Sequence, residues 1–331
     1  MCARTIIINV KVSRMCSNRI NKFLWLFVIS FIFLAGSSPL NKLNAAEGGS
    51  SFYVPGLYGE IGVAIPPSSG TYLLATSLYY SANAPHQLLP NGVDQRGDVD
   101  IFSQLIRGFW VAPERVLGAQ FLTGFRLSVL DSDVSVDVKS ASGLLLLNDN
   151  NYGLGDLGIL PFSFYWQYGD IYINLYEAIN VPTGKFSATR LANVALHHWA
   201  FDTVLGLTWL DPKTGIEISV TPGIIYNTKN STTNYQSGIE FHMDAMLNWH
   251  LSTSLSIGLH GSVYQQLTAD KGGHSSLGSF KGRSYSIGPA VVWRKQVGNQ
   301  KYYLSAKWLH EFSTKNKVEG DLTLLSIGVK F

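Results

Sequence analysis

"EFHMDAMLNWH", residues 240–250, puts Glu240, His242, Asp244, Met246, Asn248 and His250 on one alternation and Phe241, Met243, Ala245, Leu247 and Trp249 on the other. Two carboxylates and two histidines in eleven residues invite a reading as metal ligands or as an acid–base pair. In an extended chain successive side chains point to opposite faces, so the same stretch also reads as a strand with one polar and one apolar face. On that register the odd residues from Ile239 to Trp249 face lipid and the even residues face a wet interior. The polar set then needs no chemistry, and a metal centre would need ligands from several directions that one strand does not supply.

The same period recurs along the chain. In LTLLSIGVKF (322–331), Leu325, Ile327, Val329 and Phe331 alternate with Ser326, Gly328 and Lys330. Phe121, Phe125, Leu127 and Val129 oppose Gln120, Arg126 and Ser128; Leu255, Ile257 and Leu259 oppose Ser256, His260, Ser262, Tyr264 and Gln266. Twelve such segments are expected, near 70–84, 97–112, 117–130, 156–168, 170–183, 195–209, 214–226, 235–249, 253–267, 283–296, 301–312 and 320–331. Strands of about ten residues suffice to cross a membrane obliquely. The connections alternate long (PHQLLPNGVDQRG, DSDVSVDVKSASGLLLLNDNNYG, GKFSATRLANV, TKNSTTN, TADKGGHSSLGSFKG, STKNKVE) with short (PER, GD, DPKT, LS, VGNQ). That parity belongs to a barrel with extended outer loops and tight periplasmic turns. Aromatic residues gather toward strand ends, at Tyr79, Tyr80, Trp166, Trp209, Tyr226, Trp249, Trp293 and Phe312, where interfacial girdles would lie. Segment two, DIFSQLIRGFWV, mixes its faces, and Glu177 falls on the outward side of segment five, which implies a bulge or a strand end there.

Composition agrees with this class. Of 331 residues only 14% are charged, against about a quarter in ordinary soluble domains, while 12% are aromatic and 32 are glycine. Arg4, Lys11, Arg14, Arg19 and Lys22 precede the apolar run FLWLFVISFIFLAG (23–36), and LNAA (43–46) offers small residues for cleavage, so residues 1–46 read as a secretory signal peptide, with Met15 as an alternative start. The leader carries six of the 25 Lys and Arg and none of the 22 Asp and Glu, which leaves 19 cations against 22 anions, a net charge of −3. Both cysteines, Cys2 and Cys16, go with it. No thiol chemistry is expected of the mature chain, no lipid anchor, and no nucleic-acid partner, because the positive field that binds phosphate is gone.

Other reactive pairs have plain readings. His197 and His198 are adjacent and would point to opposite faces if on a strand, so loop-edge positions are expected. His260 and Ser262 share a face, which suggests an outer-membrane esterase or phospholipase as a lesser alternative, but no nucleophile-elbow motif surrounds them. Asn230-Ser231-Thr232 fits a glycosylation sequon and is read as loop chemistry.

Several stretches resemble the phenol-degradation (meta-pathway) outer-membrane family: the mature start GGSSFYVPGLYGEIGVAIPPSSGTYLL (48–74), GLGDLGILPFSFYWQYGDIYINLYEAINVPTGKF (153–186), NYQSGIEFHMDAMLNW (234–249) and GLHGSVYQQLTADKG (258–272). Its Tyr-Val-Pro-Gly, Gly-Leu-Gly-Asp, Val-Pro-Thr-Gly and Tyr-Gln-Gln-Leu-x-x-Asp motifs stand at 53–56, 153–156, 181–184 and 264–270. The resemblance implies an outer-membrane transporter-like barrel that helps aromatic or other hydrophobic compounds to enter. It carries over no catalytic residues, and the segment SATRLANVALHHW matches weakly.

The expectation is therefore an all-β, transmembrane, antiparallel up-and-down barrel of about twelve strands (range about 10–14) over residues 70–331, preceded by a segment, 47–69, too rich in Gly and Pro for a regular strand and read as a candidate plug or lateral-access element. It would reside in the outer membrane of a Gram-negative-type cell, with lipid as solvent and the assembly machinery engaging the strand that ends at Phe331. Its function would be passive uptake of small solutes without cofactor, metal or covalent chemistry. A general porin for polar solutes is the runner-up, and a structural or adhesive barrel a lesser one. Expected lumen or solute contacts are Arg126, Tyr165, Glu217, Glu240, His242, Asp244, His260, Tyr264, Gln266, Arg294 and Lys307. Tyr79 and Tyr303 are expected to face inward, as are Asp202 and Lys330. The lumen charges would serve either as opposed acidic and basic walls or as salt-bridged supports.

Overall fold

The computed structural model describes residues 49–57, 59, 63–88, 94–140, 143–272 and 281–331. The expected leader, residues 1–46, lies outside them. Alternation of polar and apolar residues commits the chain to strands: β1 (Gly70–Leu88), β2 (Asp94–Val116), β3 (Ala119–Ser140), β4 (Gly143–Leu154), β5 (Leu157–Tyr168), β6 (Ile171–Val181), β7 (Ala200–Leu210), β8 (Ile216–Asn227), β9 (Tyr235–Gln236), β10 (Glu240–His250), β11 (Leu255–Gln266), β12 (Lys271–Gly272), β13 (Arg283–Val297), β14 (Gln300–Lys315) and β15 (Glu319–Lys330). Each wall strand pairs antiparallel with its neighbours in chain order, and β1 pairs with both β2 and β15. The ring β1, β2, β3, β5, β6, β7, β8, β10, β11, β13, β14, β15 is thus a closed twelve-stranded barrel. Closure removes the free edges that an open sheet would expose.

The long-and-short parity holds in form, but the first two long connections, between β1 and β2 and after Leu130 of β3, are largely strand. The stretch DSDVSVDVKSASGLLLLNDNNYG, expected as a loop, is instead the outer end of β3 and all of β4. Val134, Val136 and Val138 simply continue the period-two pattern of β3, and the inserted aspartates are compatible with a strand whose outer end stands in water. β4 pairs with the outer half of β3, from Val129 to Ser140, while β5 pairs with its inner half, from Gln120 to Arg126. β4 and β5 are therefore one strand broken at Gly155-Asp156. β9 and β12 form a two-residue pairing among the outer connections.

The outward face is apolar. Phe102, Ile106, Trp110, Leu247, Trp249, Ile257, Leu259, Trp308, Leu325 and Ile327 are all exposed on it. Glu177 does face outward, where it accepts a hydrogen bond from Thr203 Oγ1 (2.6 Å), and the register slip lies opposite it, between Ile159 and Phe162 around Pro161. Tyr79 departs from expectation. It is 48% exposed and donates to Asp100 on the outer surface, while Tyr80 turns inward to Glu311. Side-by-side tyrosines carry no parity signal, so only the pairing of β1 with its neighbours decides between them.

The inward face is not uniformly polar. Leu57, Leu78, Leu105, Leu309, Leu322 and Leu324 form one buried cluster, and Tyr72, Leu74, Val111, Leu122 and Tyr303 form another toward the rim of tight turns, with Tyr165 packed against it. This explains the mixed pattern of β2. Its inward residues Leu105 and Val111 meet protein, and its outward residues Phe102, Ile106 and Trp110 remain the exposed wall.

Candidate functional site

Inside the barrel the expected lumen residues do not stand free around a pore. Four of them, Glu240, His242, Asp244 and Lys307, hold the segment that precedes β1. Ser51 donates its hydroxyl to Glu240, which also accepts Asn227 Nδ2 (2.7 Å). The ring of Tyr53 stacks on His242 with centroids 4.2 Å apart, and His242 Nε2 lies 2.8 Å from Asp202 Oδ1. Gly56 N–H donates to Asp244 Oδ1 (2.9 Å), and Lys307 Nζ donates to the carbonyl of the same glycine (2.8 Å). Arg107 donates to the Leu57 carbonyl (3.0 Å) and to Thr76 Oγ1 (2.8 Å). Farther along, Ala64 N–H reaches Thr208 Oγ1 (3.3 Å). Four strands, β2, β7, β10 and β14, thus share one central ligand, described residues 51–57 and Ala64 of the chain's own N-terminal segment. Irregular backbone at membrane depth is tolerated only where protein or a wet cavity satisfies it, and these contacts do so.

The family-like motifs turn out to be joints. In Tyr53-Val54-Pro55-Gly56, the glycine has φ of +73°, and a Cβ there would lie 2.7 Å from Leu309 Cδ1. Gly-Leu-Gly-Asp and Val-Pro-Thr-Gly meet each other at the break between β4 and β5. Asp156 accepts hydrogen bonds from Gly184 N (2.8 Å), Leu196 N (2.8 Å), His197 N (3.1 Å) and Asn180 Nδ2 (2.9 Å). Thr183 Oγ1 accepts from Leu157 N (3.0 Å), and Lys185 N–H donates to the Leu154 carbonyl (2.9 Å). The connection 182–199 therefore continues the wall beside β4 and then turns inward. In the Tyr264–Asp270 motif, Gln266 and Asp270 tie down the neighbouring connection through Thr268, Tyr235 and Gly238.

Above the N-terminal segment lies a cavity of about 450 Å³ lined by Phe52, Leu78, Val99, Leu196, Leu309 and Leu322 among others. Below it, against β3, β5 and β6, lies a second of about 140 Å³, and the two share Phe52, Val54 and Arg126. The Arg126 guanidinium stands 4.5 Å over the Phe52 ring. Across the upper cavity, Lys317 Nζ stands 4.1 Å over the Tyr264 ring. Lys317 sits in the turn between β14 and β15; burial pushes its ammonium below the usual lysine range, against the upward pull of Glu311 and Glu240.

The remaining expected residues cluster toward the tight-turn rim. Glu217 accepts from Ser219 (2.7 Å) and pairs with His250 Nε2 (2.6 Å), whose Nδ1 lies 2.9 Å from Ser256 Oγ, which in turn accepts from Arg294 (3.1 Å). Among the described residues the Ser–His hydrogen bond of the barrel is this one, with Ser256 2% exposed. The expected neighbours His260 and Ser262 turn instead to Asn248 (3.0 Å) and Ser286 (2.6 Å). His197 and His198 lie in the 182–199 connection, His197 stacked on Phe186 and His198 bonded to Asn227. Arg107, Asp156 and Lys317 were missed from sequence. Arg107 hides in an apolar run, Asp156 in a motif whose role needs a tertiary partner, and Lys317 in a connection.

A closed twelve-stranded antiparallel barrel with an apolar outer surface and a polar, partly filled interior defines an outer-membrane channel-type protein of a Gram-negative-type cell. The chain belongs to the family described as "Putative MetA-pathway of phenol degradation", whose model matches residues 80–327. Among solved structures it is similar to an outer membrane channel from Pseudomonas putida F1, at 11% identity, covering 84% of this chain and all of that one with a TM-score of 0.59. A FadL homologue of Pseudomonas aeruginosa aligns at 8% identity, over 88% of this chain and 98% of that one, with a TM-score of 0.39. No curated protein matches the chain.

Proposed function

We propose that this barrel takes up small hydrophobic, including aromatic, compounds by passive diffusion, and that the segment 47–69 is its plug. The observation that carries the reading is the upper cavity: aliphatic side chains such as Leu78, Val99, Leu196 and Leu322 line it together with Phe52 and Tyr264, and the charged groups that border it are engaged, Asp156 by four donors, Glu311 by Tyr80, Arg126 over Phe52 and Lys317 over Tyr264. A site of that kind favours a ligand that brings a ring or chain and little charge. The family description, which mentions phenol degradation, supports the same direction. Passage toward the lower cavity requires movement of Phe52, since both cavities end on it. No covalent step is involved. Solute contacts would come from Tyr264, Arg126 and the segment's own Phe52 and Val54.

Two measurements test this. Liposome swelling should be faster with phenols than with sugars of equal size; the reverse order would make the barrel a general porin for polar solutes. In planar bilayers, deletion of residues 49–66 or Phe52→Ala should raise conductance at least severalfold, and unchanged conductance in both would remove the plug.

A further inference from the structure

On the outer surface, one residue pair above the upper aromatic belt, β13 and β14 present two cations side by side. Arg283 and Lys315 are direct cross-strand partners. The belt is formed by Tyr285 and Phe312, whose rings lie 6.0 Å apart on the same face, with the exposed Ile287 below them. Arg283 shares the outward parity of Tyr285 and Ile287, because Ser284 between them is buried inside. Lys315 reaches that face through a bulge: the register slips between Arg283 and Tyr285, and Ser313 adopts φ of +55°. Like charges directly opposite on a strand pair are destabilising, yet here the backbone is bent in a way that creates the pair. Among the described residues neither cation makes an ion pair, and Arg283 Nε is buried without a hydrogen-bond partner. Of the two carboxylates four residues from Lys315, Glu311 is buried inside the barrel and accepts from Tyr80, and Glu319 is taken by the amide and hydroxyl of Thr314. Lys281, exposed beside them, donates to the Leu267 carbonyl and adds a third positive charge.

We infer that Arg283 and Lys315 form a binding site for a phosphate group of an outer-leaflet glycolipid. An anion between the two would turn their repulsion into two charge-assisted contacts, and the aromatic belt immediately below fixes this level as the headgroup zone. The Arg283 guanidinium lies 5.5 Å over the Tyr285 ring, which orients its fork along the wall. A lipid is the source favoured over free phosphate, because the site continues downward into the apolar surface where acyl chains would pack.

The purified full chain in detergent, titrated with a diphosphorylated lipid A and followed by native mass spectrometry, should retain the glycolipid. The double variant Arg283→Gln, Lys315→Gln should bind about tenfold or more weakly, and Arg283→Lys should recover most of the affinity. Lys295→Gln, on the same strand at the opposite rim, should bind as the parent does. Heat-modifiable gel mobility checks that each barrel is folded, and the charge-keeping Arg283→Lys keeps the test decisive if the double variant fails to fold. Equal retention of dephosphorylated lipid A, or unchanged binding in the folded double variant, would overturn the site. Displacement by millimolar inorganic phosphate as effective as by the glycolipid would overturn its assignment to lipid.

Discussion

At the scale of single residues, the barrel's polar interior is explained by what each group holds. Gly56 is the sharpest case. Its φ of +73° is one that residues with a side chain avoid, and its N–H and carbonyl are gripped by Asp244 and Lys307 from opposite walls. Gly56→Ala should therefore loosen residues 51–57 without unfolding the barrel, seen as faster hydrogen exchange there with unchanged gel mobility. Asp211 shows the same logic in a tight turn. The Lys213 N–H and then the Thr214 hydroxyl hold its carboxyl below the usual 3.8. A carboxylate with its folded pKa depressed adds stability that is present above the unfolded value and disappears as pH falls through the folded one. Asp211→Asn should thus lower the urea midpoint at neutral pH, and the gap from the parent should close as pH falls below the usual 3.8 and through the depressed folded value.

At the scale of elements, the break between β4 and β5 is the joint on which the 182–199 connection depends. The four donors on Asp156 come from the connection and from β6, and three of them are backbone N–H groups. Leaving buried donors unpaired costs about 1–3 kcal/mol each before relaxation, so Asp156→Ala should destabilise the barrel by about 2–4 kcal/mol in urea titration. It should also expose the 185–197 stretch to protease. Asp156→Asn, which keeps acceptor capacity at one oxygen only, should fall between. Sequence reading placed β5 and β6 within a few residues, because alternation is a local property, but stopped β3 at Leu130 where the strand runs on to Ser140. It assigned β4 to a loop, because Leu144 to Leu147 and the Asn and Asp residues after them break the alternation there. Nor could it see that the Gly-Leu-Gly-Asp and Val-Pro-Thr-Gly motifs, 28 residues apart from Asp156 to Gly184, are one structure.

At the scale of the whole molecule, the barrel separates hydrocarbon from an interior that is part water and part protein. Spin labels at Leu247→Cys, Ile257→Cys and Leu259→Cys should be accessible to oxygen and shielded from a water-soluble nickel chelate, while a label at Leu267→Cys near the outer rim should report the chelate more strongly. Shielding of the first three from both would mean that protein covers them.

The sequence by itself determined the twelve wall strands and, along most of their length, which face meets lipid, because a period of two records which solvent each side chain meets. Only the tertiary structure decided what those inward residues do. Glu240 reaches Ser51 across 189 positions and Lys307 reaches Gly56 across 251. Such partners are fixed by ring closure and by the return of the N-terminal segment into it, and no local pattern encodes a contact made at that distance along the chain.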